Sequence, residues 1–378
     1  MLDSIEPSLR QDPDLPQISE LNYMGDAPET SALIKQQFVD FRVDEELGFP
    51  LSHEGEHLYL RIRKTGLSTV EVARRLAEVS EASLSDIGYS GMKDKQGECT
   101  QWFSVPVSRA EEERLREIED GFVEILDAER NSRKLRIGSH KKNRFEILLR
   151  QCLGRKSVFE ERLHLIEASG IPNYFGSQRF GKDMSNLTQV MQLFRGEMGL
   201  SANDRINVKA RKKRSMLFSA ARAYLFNQVL SERIQQKNWN QFVPGDVLNL
   251  AGTSRYFLVE NGCWDDKLQR RLDNFDIHIS GPLAGVQDPR EKYISNDMAA
   301  RLEEAVLTKF QNLLSGLISF GLKTNRRPLR FVPEKLEWSW LTPEDLKLQF
   351  TLPRGAYATS LLRELCKISL FGNSGIEL

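Results

Sequence analysis

The sequence predicts an α+β protein in which a strand-rich domain is interrupted by an insertion. Patterns typical of strands dominate residues 34–180 and 328–355, and helical patterns are heavier between these ranges. The chain has 378 residues, a length that suits two or three domains at roughly 100–200 residues each. The hydrophobic fraction of 40% is ordinary for a globular protein and excludes wholesale disorder.

The first predicted elements are a strand and a capped helix. Apolar and polar residues alternate over 57–63, which predicts a strand. Ser68 and Glu71 have the spacing of a capping box, so a helix is expected to begin there. The apolar residues that follow share one helix face: Val72, Ala73, Leu76 and Val79.

The remaining elements are predicted from the same two periodicities. Alternation predicts further strands at 143–149, 336–341 and 346–352. Helical spacing predicts helices at about 217–236, 297–318 and 359–370. These positions place strands on both sides of a more helical middle region.

Several classes of protein are excluded by missing patterns. No apolar run approaches the roughly 18–20 residues that span a bilayer, and the acidic N-terminus, MLDSIEPSLRQDPD, is unlike a signal or transit peptide. The cysteines stand more than 50 residues apart without a CxxC pair, and the histidines form no HExxH pattern. We therefore expect a cytoplasmic protein that binds no metal, no cofactor and no membrane, and acts as a monomer.

Charge is balanced over the chain but segregated along it. The formal net charge is +0, with seven acidic residues against one basic residue in 1–30. Residues 133–150 carry seven Lys and Arg against one acid, and 205–222 carry seven with no acid, including the run KARKKR at 209–214. A single basic run is most often a solvated face, but two such windows in a neutral protein indicate a surface for a polyanion.

The densest motif is residues 88–104, GYSGMKDKQGECTQWFS. Asp94 stands between Lys93 and Lys95, and two ammonium groups favour an ionised carboxylate. Such a carboxylate can serve as a nucleophile, a base or an ion-pair partner. The alternative interpretation is an exposed turn with a charged tip.

Two further motifs combine basic, aromatic and amide side chains. Residues 171–181, IPNYFGSQRFG, include Arg179 among three aromatic residues, a composition that suits base stacking and phosphate contacts. A buried aromatic corner is the alternative. Residues 138–145, GSHKKNRF, form a basic turn that leads into a strand, or a cationic hairpin tip.

These three motifs resemble the TruD family of pseudouridine synthases, which isomerise uridine at position 13 of certain tRNAs. The resemblance runs from about residue 31 to 365. Its further segments are IKQQFVDFRVDEELGF at 34–49, GEHLYLRIRKTGLST at 55–69, RSMLFSAARAYLFNQVLSERI at 214–234 and GAYATSLLREL at 355–365. It implies a catalytic domain with a curved mixed β-sheet flanked by helices, interrupted by an inserted α/β TRUD domain. The implied boundaries are 1–172 and 328–378 for the catalytic domain and 173–327 for the insertion.

The resemblance also implies roles for individual residues. Asp94 matches the catalytic aspartate, and Lys35 matches the basic residue that would pair with it. Asn143 and Phe145 match the active-site Asn and Phe, with Phe145 expected to stack on the flipped uracil. Lys93 and Arg179 are expected to contact the substrate. The expected contacts to tRNA are Lys141, Lys142, Arg144, Lys209, Arg211, Lys212 and Lys213.

Two residues depart from the family pattern. Gly97 stands where the family often has Ala, a change expected to add backbone freedom without affecting the chemistry. Phe38 stands where the family usually has Pro, in the loop that carries Lys35. The implied reaction breaks the N1–C1′ bond, rotates uracil and joins C5 to C1′, with Asp94 as nucleophile or as base.

Two other functions use the same features. A non-catalytic RNA-binding or RNA-folding protein on this scaffold would need the basic windows but not the full set of active-site residues. A glycoside hydrolase would pair Asp94 with Glu98 or Glu56, since such enzymes normally use two carboxylates at a defined separation. Nothing in the sequence pairs a second acid with Asp94.

Overall fold

The structure, a computed structural model, describes residues 21–197, 208–259, 262–288, 290 and 294–370, without the side chains of Val208, Lys209 and Leu370. The chain divides into two compact units. Over these residues the strand-rich unit comprises 28–168 and 332–370, and the inserted unit comprises 21–27 and the described part of 169–331.

The N-terminal segment differs from the predicted division, which placed 1–172 in the catalytic domain. Its described part, 21–27, belongs to the inserted unit. Side-chain contacts explain this, because the backbone N–H of Asn22 donates to Ser231 Oγ at 2.9 Å and the hydroxyl of Tyr174 donates to the Asn22 carbonyl at 3.0 Å. Partners so distant along the chain leave no local signal in the sequence.

The first part of the strand-rich unit holds seven strands and two α-helices. The strands are β1 (Ser31–Ile34), β2 (Phe41–Leu47), β3 (His57–Thr65), β4 (Gly88–Tyr89), β5 (Glu98–Pro106), β6 (Val123–Asn131) and β7 (His140–Leu153). The helices are α1 (Thr69–Ser80) and α2 (Lys156–Ser169). The predicted capping box is confirmed, since Ser68 Oγ accepts from the Glu71 N–H and Glu71 accepts from the Ser68 N–H.

The inserted unit contributes short strands and five α-helices. The strands are β8 (Ile171–Pro172), β9 (Val247–Leu250), β10 (Tyr256–Leu258), β11 (Ile277–Leu283), β12 (Asn325–Pro328) and β13 (Arg330–Phe331). The helices are α3 (Ser185–Phe194), α4 (Val208–Gln235), α5 (Asp266–Asp273), α6 (Asp297–Leu307) and α7 (Gln311–Ser319). An antiparallel sheet in the order β10-β9-β11-β12 packs with α4, whose Leu217, Tyr224 and Leu225 are fully buried.

The chain then returns to the strand-rich unit as β14 (Glu334–Trp340), β15 (Leu346–Pro353), α8 (Ala358–Leu365) and β16 (Lys367–Leu370). The strict alternation predicted for β15 is confirmed by its burial pattern. The predicted helix at 359–370 is wrong in its last part. The backbone becomes extended at Cys366, and β16 pairs in parallel with β1, so strand pairing overrides the local helical pattern.

The described residues of the strand-rich unit form one mixed sheet in the order β14-β15-β7-β2-β5-β3-β6. β2 and β5 run parallel, whereas β7 pairs antiparallel with both β2 and β15. The register aligns Phe350, Phe145, Val43, Cys99 and Lys64 across five strands. Because paired residues point to the same face, this row places a lysine on the buried face of the sheet.

Two predicted helix boundaries need correction. The helix expected to begin near Leu217 begins at Val208, because Lys and Arg are good helix formers and no Gly or Pro interrupts 208–217. The basic run therefore lies within α4. The single helix expected at 297–318 is two helices, since Thr308 Oγ1 donates back to the Glu304 carbonyl at 2.8 Å and Phe310 leaves helical geometry. Within the described ranges, no helix is long and apolar enough to cross a membrane.

Candidate active site

Asp94 lies in the loop between β4 and β5 of the strand-rich unit, with both carboxylate oxygens engaged. Lys35 Nζ forms an ion pair with Oδ2, and the backbone N–H of Gln96 donates to Oδ1 at 3.0 Å. The Asp94 side chain is still 29% exposed, whereas that of Lys35 is 10% exposed. The arrangement holds a carboxylate in one orientation while leaving it reachable from solvent.

Lys35 follows β1 directly and adopts a left-handed backbone conformation, with φ of 59°. Such a conformation costs a non-glycine residue about 1 kcal/mol or more, so the surrounding contacts must maintain it. Its Nζ lies 4.3 Å from the centroid of the Phe41 ring, which adds a cation–π contact. Phe38, where the family usually has Pro, begins a 3-10 turn at Phe38–Asp40 and does not prevent the pairing of Lys35 with Asp94.

Lys64 holds the same loop through hydrogen bonds to its backbone. It is fully buried on β3, and its Nζ donates to the carbonyl oxygens of Leu67 at 2.6 Å and Asp94 at 2.7 Å. One ammonium group therefore joins the end of β3 to the backbone of the candidate catalytic residue. This residue was missed in the sequence analysis.

The two lysines beside Asp94 have other partners, which corrects the expectation that they flank its carboxylate. Lys93 Nζ lies 2.7 Å from Glu45 Oε2 and donates to Asn143 Oδ1 at 2.6 Å. Lys95 Nζ forms an ion pair with Glu71 at 3.0 Å. Successive side chains of an extended loop point in different directions, so adjacency in sequence does not produce contact.

The Glu45–Lys93 pair is the most deeply buried part of the site. The Glu45 side chain is 0% exposed and that of Lys93 is 6% exposed. Glu45 Oε1 also accepts from the Trp102 N–H at 3.2 Å. A buried charge of either sign is costly without its partner, so each of these two residues stabilises the charge of the other.

Polar side chains of α1 and β5 complete the support of the loop. Thr69 Oγ1 accepts from the Lys93 N–H at 2.9 Å and donates to Gln101 Oε1 at 2.8 Å. Gln101 Nε2 in turn donates to the Gly91 carbonyl at 3.1 Å. The loop from Gly91 to Asp94 is thereby fixed from two secondary-structure elements, which suits a residue that must be positioned for chemistry.

Phe145 lies on the same sheet face as Lys64, and its ring is less exposed than expected for a residue that stacks on a base. It is 7% exposed, its ring stacks on Phe350 at 5.3 Å between centroids, and Phe41 contacts it edge-on at 6.2 Å. Phe350 covers one side of the ring. A flipped base could reach Phe145 only on the part of the ring that Phe350 does not cover.

A sequence signal for the missed residues exists in the strand alternation. Leu58, Leu60 and Ile62 face inward on β3, and the same alternation places Lys64 inward. Likewise Phe41 and Val43 on β2 are followed at the next inward position by Glu45. A charged residue at an inward position needs a partner, so these two positions mark a polar site inside the sheet face.

Burial or hydrogen bonding shifts the pKa values of several ionisable groups around the site. Burial lowers the pKa of the Lys64 ammonium, and burial raises the pKa of the Cys99 thiol. Burial, followed by the charge of Lys93, lowers the pKa of His140, which favours a neutral imidazole there. Hydrogen bonds from Ser68, with help from Lys95, lower the pKa of Glu71 to about 2.

The predicted RNA contacts fall in both units. On β7, Lys141 and Arg144 are exposed, whereas Lys142 is half-buried and forms an ion pair with Glu334 at 2.5 Å. On α4, Arg211, Lys212 and Lys213 are exposed, and the side chain of Lys209 lies outside the described residues. Arg179 lies in the inserted unit, 5.5 Å from the centroid of Phe175.

Three further observations concern a second acid, metal-binding groups and the packing of Gly97. Glu98, considered as a second acid, forms an ion pair with Arg42 at 3.1 Å. Among the described residues, no group of three or more His, Cys, Asp or Glu is placed to hold a metal ion. Gly97 is required here rather than merely tolerated, because a Cβ atom at this position would lie 2.6 Å from the Phe41 carbonyl oxygen. The expectation that Gly97 adds backbone freedom leaves out this close approach, and its expected neutrality for the chemistry stays a prediction.

Comparison with known proteins gives a consistent result. The sequence model of one family, described as tRNA pseudouridine synthase D (TruD), matches residues 17–199 and 201–365. A tRNA pseudouridine synthase D from Nitrosococcus oceani is 44% identical over 349 residues, covering 92% of this chain and 94% of that protein. Another, from Actinobacillus succinogenes, is 40% identical, covering 92% and 99%. A solved TruD structure from Methanosarcina mazei shares the fold, with a TM-score of 0.70 at 21% identity over 91% of this chain and 95% of that one.

Proposed function

The chain belongs to the TruD family of tRNA pseudouridine synthases, and we propose that it converts uridine 13 of tRNA to pseudouridine with Asp94 as the catalytic residue. The observation that carries this proposal is the ion pair between Lys35 and Asp94. It joins two residues 59 positions apart in sequence around a partly exposed carboxylate. Both positions match the family pattern.

The reaction is an isomerisation whose atoms balance within the substrate. The N1–C1′ bond breaks, the uracil turns, C5 bonds to C1′, C5 loses its proton, and N1 gains one, either directly or by exchange through solvent. Asp94 serves either as nucleophile on C1′ or as the base that takes a sugar proton to give a glycal. In both routes an ionised carboxylate is needed, and Lys35 supplies its counter-charge.

A uridine inside folded tRNA must first leave its stack, at a cost of a few kcal/mol. The uncovered part of Phe145 and the adjacent Asn143 are the groups proposed to hold the extruded base. Ion pairs with tRNA phosphates would offset the remaining cost. The exposed side chains proposed to form them are Lys141 and Arg144 in one unit and Arg211, Lys212 and Lys213 in the other.

The alternative is a protein that binds or folds tRNA without modifying it. The basic side chains of β7 and α4 would serve that function equally well. The buried Lys64 and the Glu45–Lys93 pair favour the catalytic function, since RNA binding alone has no need for a fixed Asp94 loop.

The test is to incubate the protein with an unmodified tRNA transcript and map pseudouridine by base-specific chemistry and primer extension. We expect product at position 13 and none when that uridine is replaced by cytidine. Asp94→Asn should abolish product while tRNA affinity stays within a few-fold, because the amide is isosteric but neither attacks carbon nor accepts a proton. Glu98→Gln is the matched control and should retain activity.

Product at a different position would overturn the assignment of uridine 13. Turnover of Asp94→Asn comparable with that of wild type would remove Asp94 from the mechanism. Tight tRNA binding without any product would favour the non-catalytic alternative.

A further inference from the structure

The inserted unit contains a cavity of about 800 Å³, formed by α4, the segment after β8 and the end of α7 with the chain that follows it. This volume is within the roughly 300–1,000 Å³ range of pockets that hold small molecules. Five arginines line it: Arg179, Arg211, Arg214, Arg222 and Arg327. No Asp or Glu is among its described lining residues, so its lining is rich in positive charge.

The guanidinium of Arg222 is held by backbone carbonyl groups. Its Nη2 donates to the carbonyl oxygens of Leu283 at 2.9 Å and Lys323 at 3.1 Å, while its buried Nε has no hydrogen-bond partner in the described structure. Burial lowers the pKa of this guanidinium. The buried Nε of Arg179 is likewise without a partner among the described residues. Buried cationic donors in this state are stabilised by a bound anion.

Aromatic rings form the other walls. Phe218 on α4 and Phe320 after α7 lie 5.1 Å apart between centroids. Another wall contains Phe175, which follows β8, and the Arg327 guanidinium of β12 lies 4.1 Å from the centroid of its ring. The backbone N–H of Phe175 donates to Asn227 of α4 at 2.9 Å. Aromatic faces beside guanidinium groups are the surroundings that an unstacked nucleotide base and its phosphate require.

We propose that this cavity binds one unstacked nucleotide of the tRNA, other than the uridine that is isomerised, with its phosphate on the arginines and its base against the aromatic walls. This inference rests on the proposed function for its substrate. The cavity is lined entirely by residues of the inserted unit, and Asp94 is not among them. It therefore supplies a second point of recognition, separate from the residues that act on the target base.

The first test fills the cavity without changing its charge. Ser215 lines the cavity on α4, whereas its neighbour Met216 is 46% exposed and does not line it. We expect Ser215→Phe to weaken binding of unmodified tRNA about ten-fold or more, the worth of one stacked base. Met216→Phe is the matched control and should stay within about two-fold of wild type. Equal affinities for these two variants would overturn the proposal.

The second test removes a charge. Arg211 is exposed and lines the cavity, whereas Arg301 is an exposed arginine of α6 outside it. Arg211→Gln should flatten the log–log salt dependence of tRNA binding by about 0.7–0.9 for the lost phosphate contact, and Arg301→Gln should leave it unchanged. The same slope in both variants would count against a phosphate at this cavity.

These outcomes are distinct from failure of the proposed function. A wild-type protein that binds tRNA through the cavity but forms no pseudouridine would refute the proposed activity and support the cavity. A wild-type protein that isomerises tRNA, with Ser215→Phe binding as tightly as wild type, would refute the cavity alone.

Discussion

Lys93 Nζ donates to Asn143 Oδ1 at 2.6 Å, and this contact fixes which way the Asn143 amide faces. Because the oxygen is occupied, the two N–H donors of Nδ2 are left for another partner, and no described residue accepts them. Uracil carries two carbonyl acceptors. We therefore propose that Lys93 positions Asn143 to bind the base, while the cation paired with Asp94 is Lys35.

The buried pair behind this contact should be strongly coupled. Glu45→Gln leaves the ammonium of Lys93 almost fully buried without a counter-charge, so we expect a loss of about 3 kcal/mol in the free energy of unfolding. Lys93→Met alone should destabilise similarly by leaving Glu45 unpaired. Urea unfolding of both single variants and of the double variant measures this.

The double variant Glu45→Gln/Lys93→Met is the internal control. It removes both charges, so it should be more stable than the sum of the single effects predicts. Its turnover should remain low, because Asn143 is no longer oriented. Strict additivity of the two single effects would show that the pair is not coupled.

Replacing the cation on Asp94 tests the electrostatics of the proposed mechanism. Lys35→Met should lower kcat by roughly ten- to a hundred-fold, the worth of a charged hydrogen bond. A kcat equal to that of wild type would show that another group performs this role.

Gly97 should not accept a side chain despite the family's frequent Ala. Gly97→Ala places a Cβ atom 2.6 Å from the Phe41 carbonyl oxygen, so we expect a loss of about 1–3 kcal/mol in the free energy of unfolding. Gly121→Ala is the matched control, because nothing lies within 4 Å of the added atom. Thermal unfolding of the two variants decides this, and equal melting temperatures would contradict it.

His278 should make the inserted unit acid-sensitive. Burial, followed by the charge of Arg330, lowers its pKa from 6.5 to about 4, and its Nδ1 accepts from Arg330 Nε at 3.1 Å. Between these values the unfolded chain takes up a proton that the folded chain does not, so stability falls as pH falls. The loss amounts to about 3 kcal/mol by pH 4.

His278→Gln keeps an acceptor for Arg330 and removes the titration. Urea unfolding at pH 7 and pH 4.5 should show a smaller loss in this variant than in wild type. His164→Gln is the control, because it makes the same substitution at an exposed histidine of α2 in the strand-rich unit. An unchanged loss in His278→Gln would show that other groups cause the acid sensitivity.

Local interactions determined several elements that the sequence alone could predict. The Ser68–Glu71 capping box depends on residues three apart, and the alternation of β15 depends on residues two apart. In each case the interacting groups are neighbours along the chain, so their spacing is visible before any fold is known.

Only the tertiary structure decided which partners these residues take. The pairing of Lys35 with Asp94 was expected only through the family resemblance, and the pairing of the adjacent Lys93 with Glu45 is seen only in the folded protein. The end of α8 likewise gives way to β16 because β1 supplies a hydrogen-bonding edge some 330 residues away. Charge pairing and strand pairing depend on distances in space. A local pattern therefore predicts that a group needs a partner, and the assembled sheet determines which partner it has.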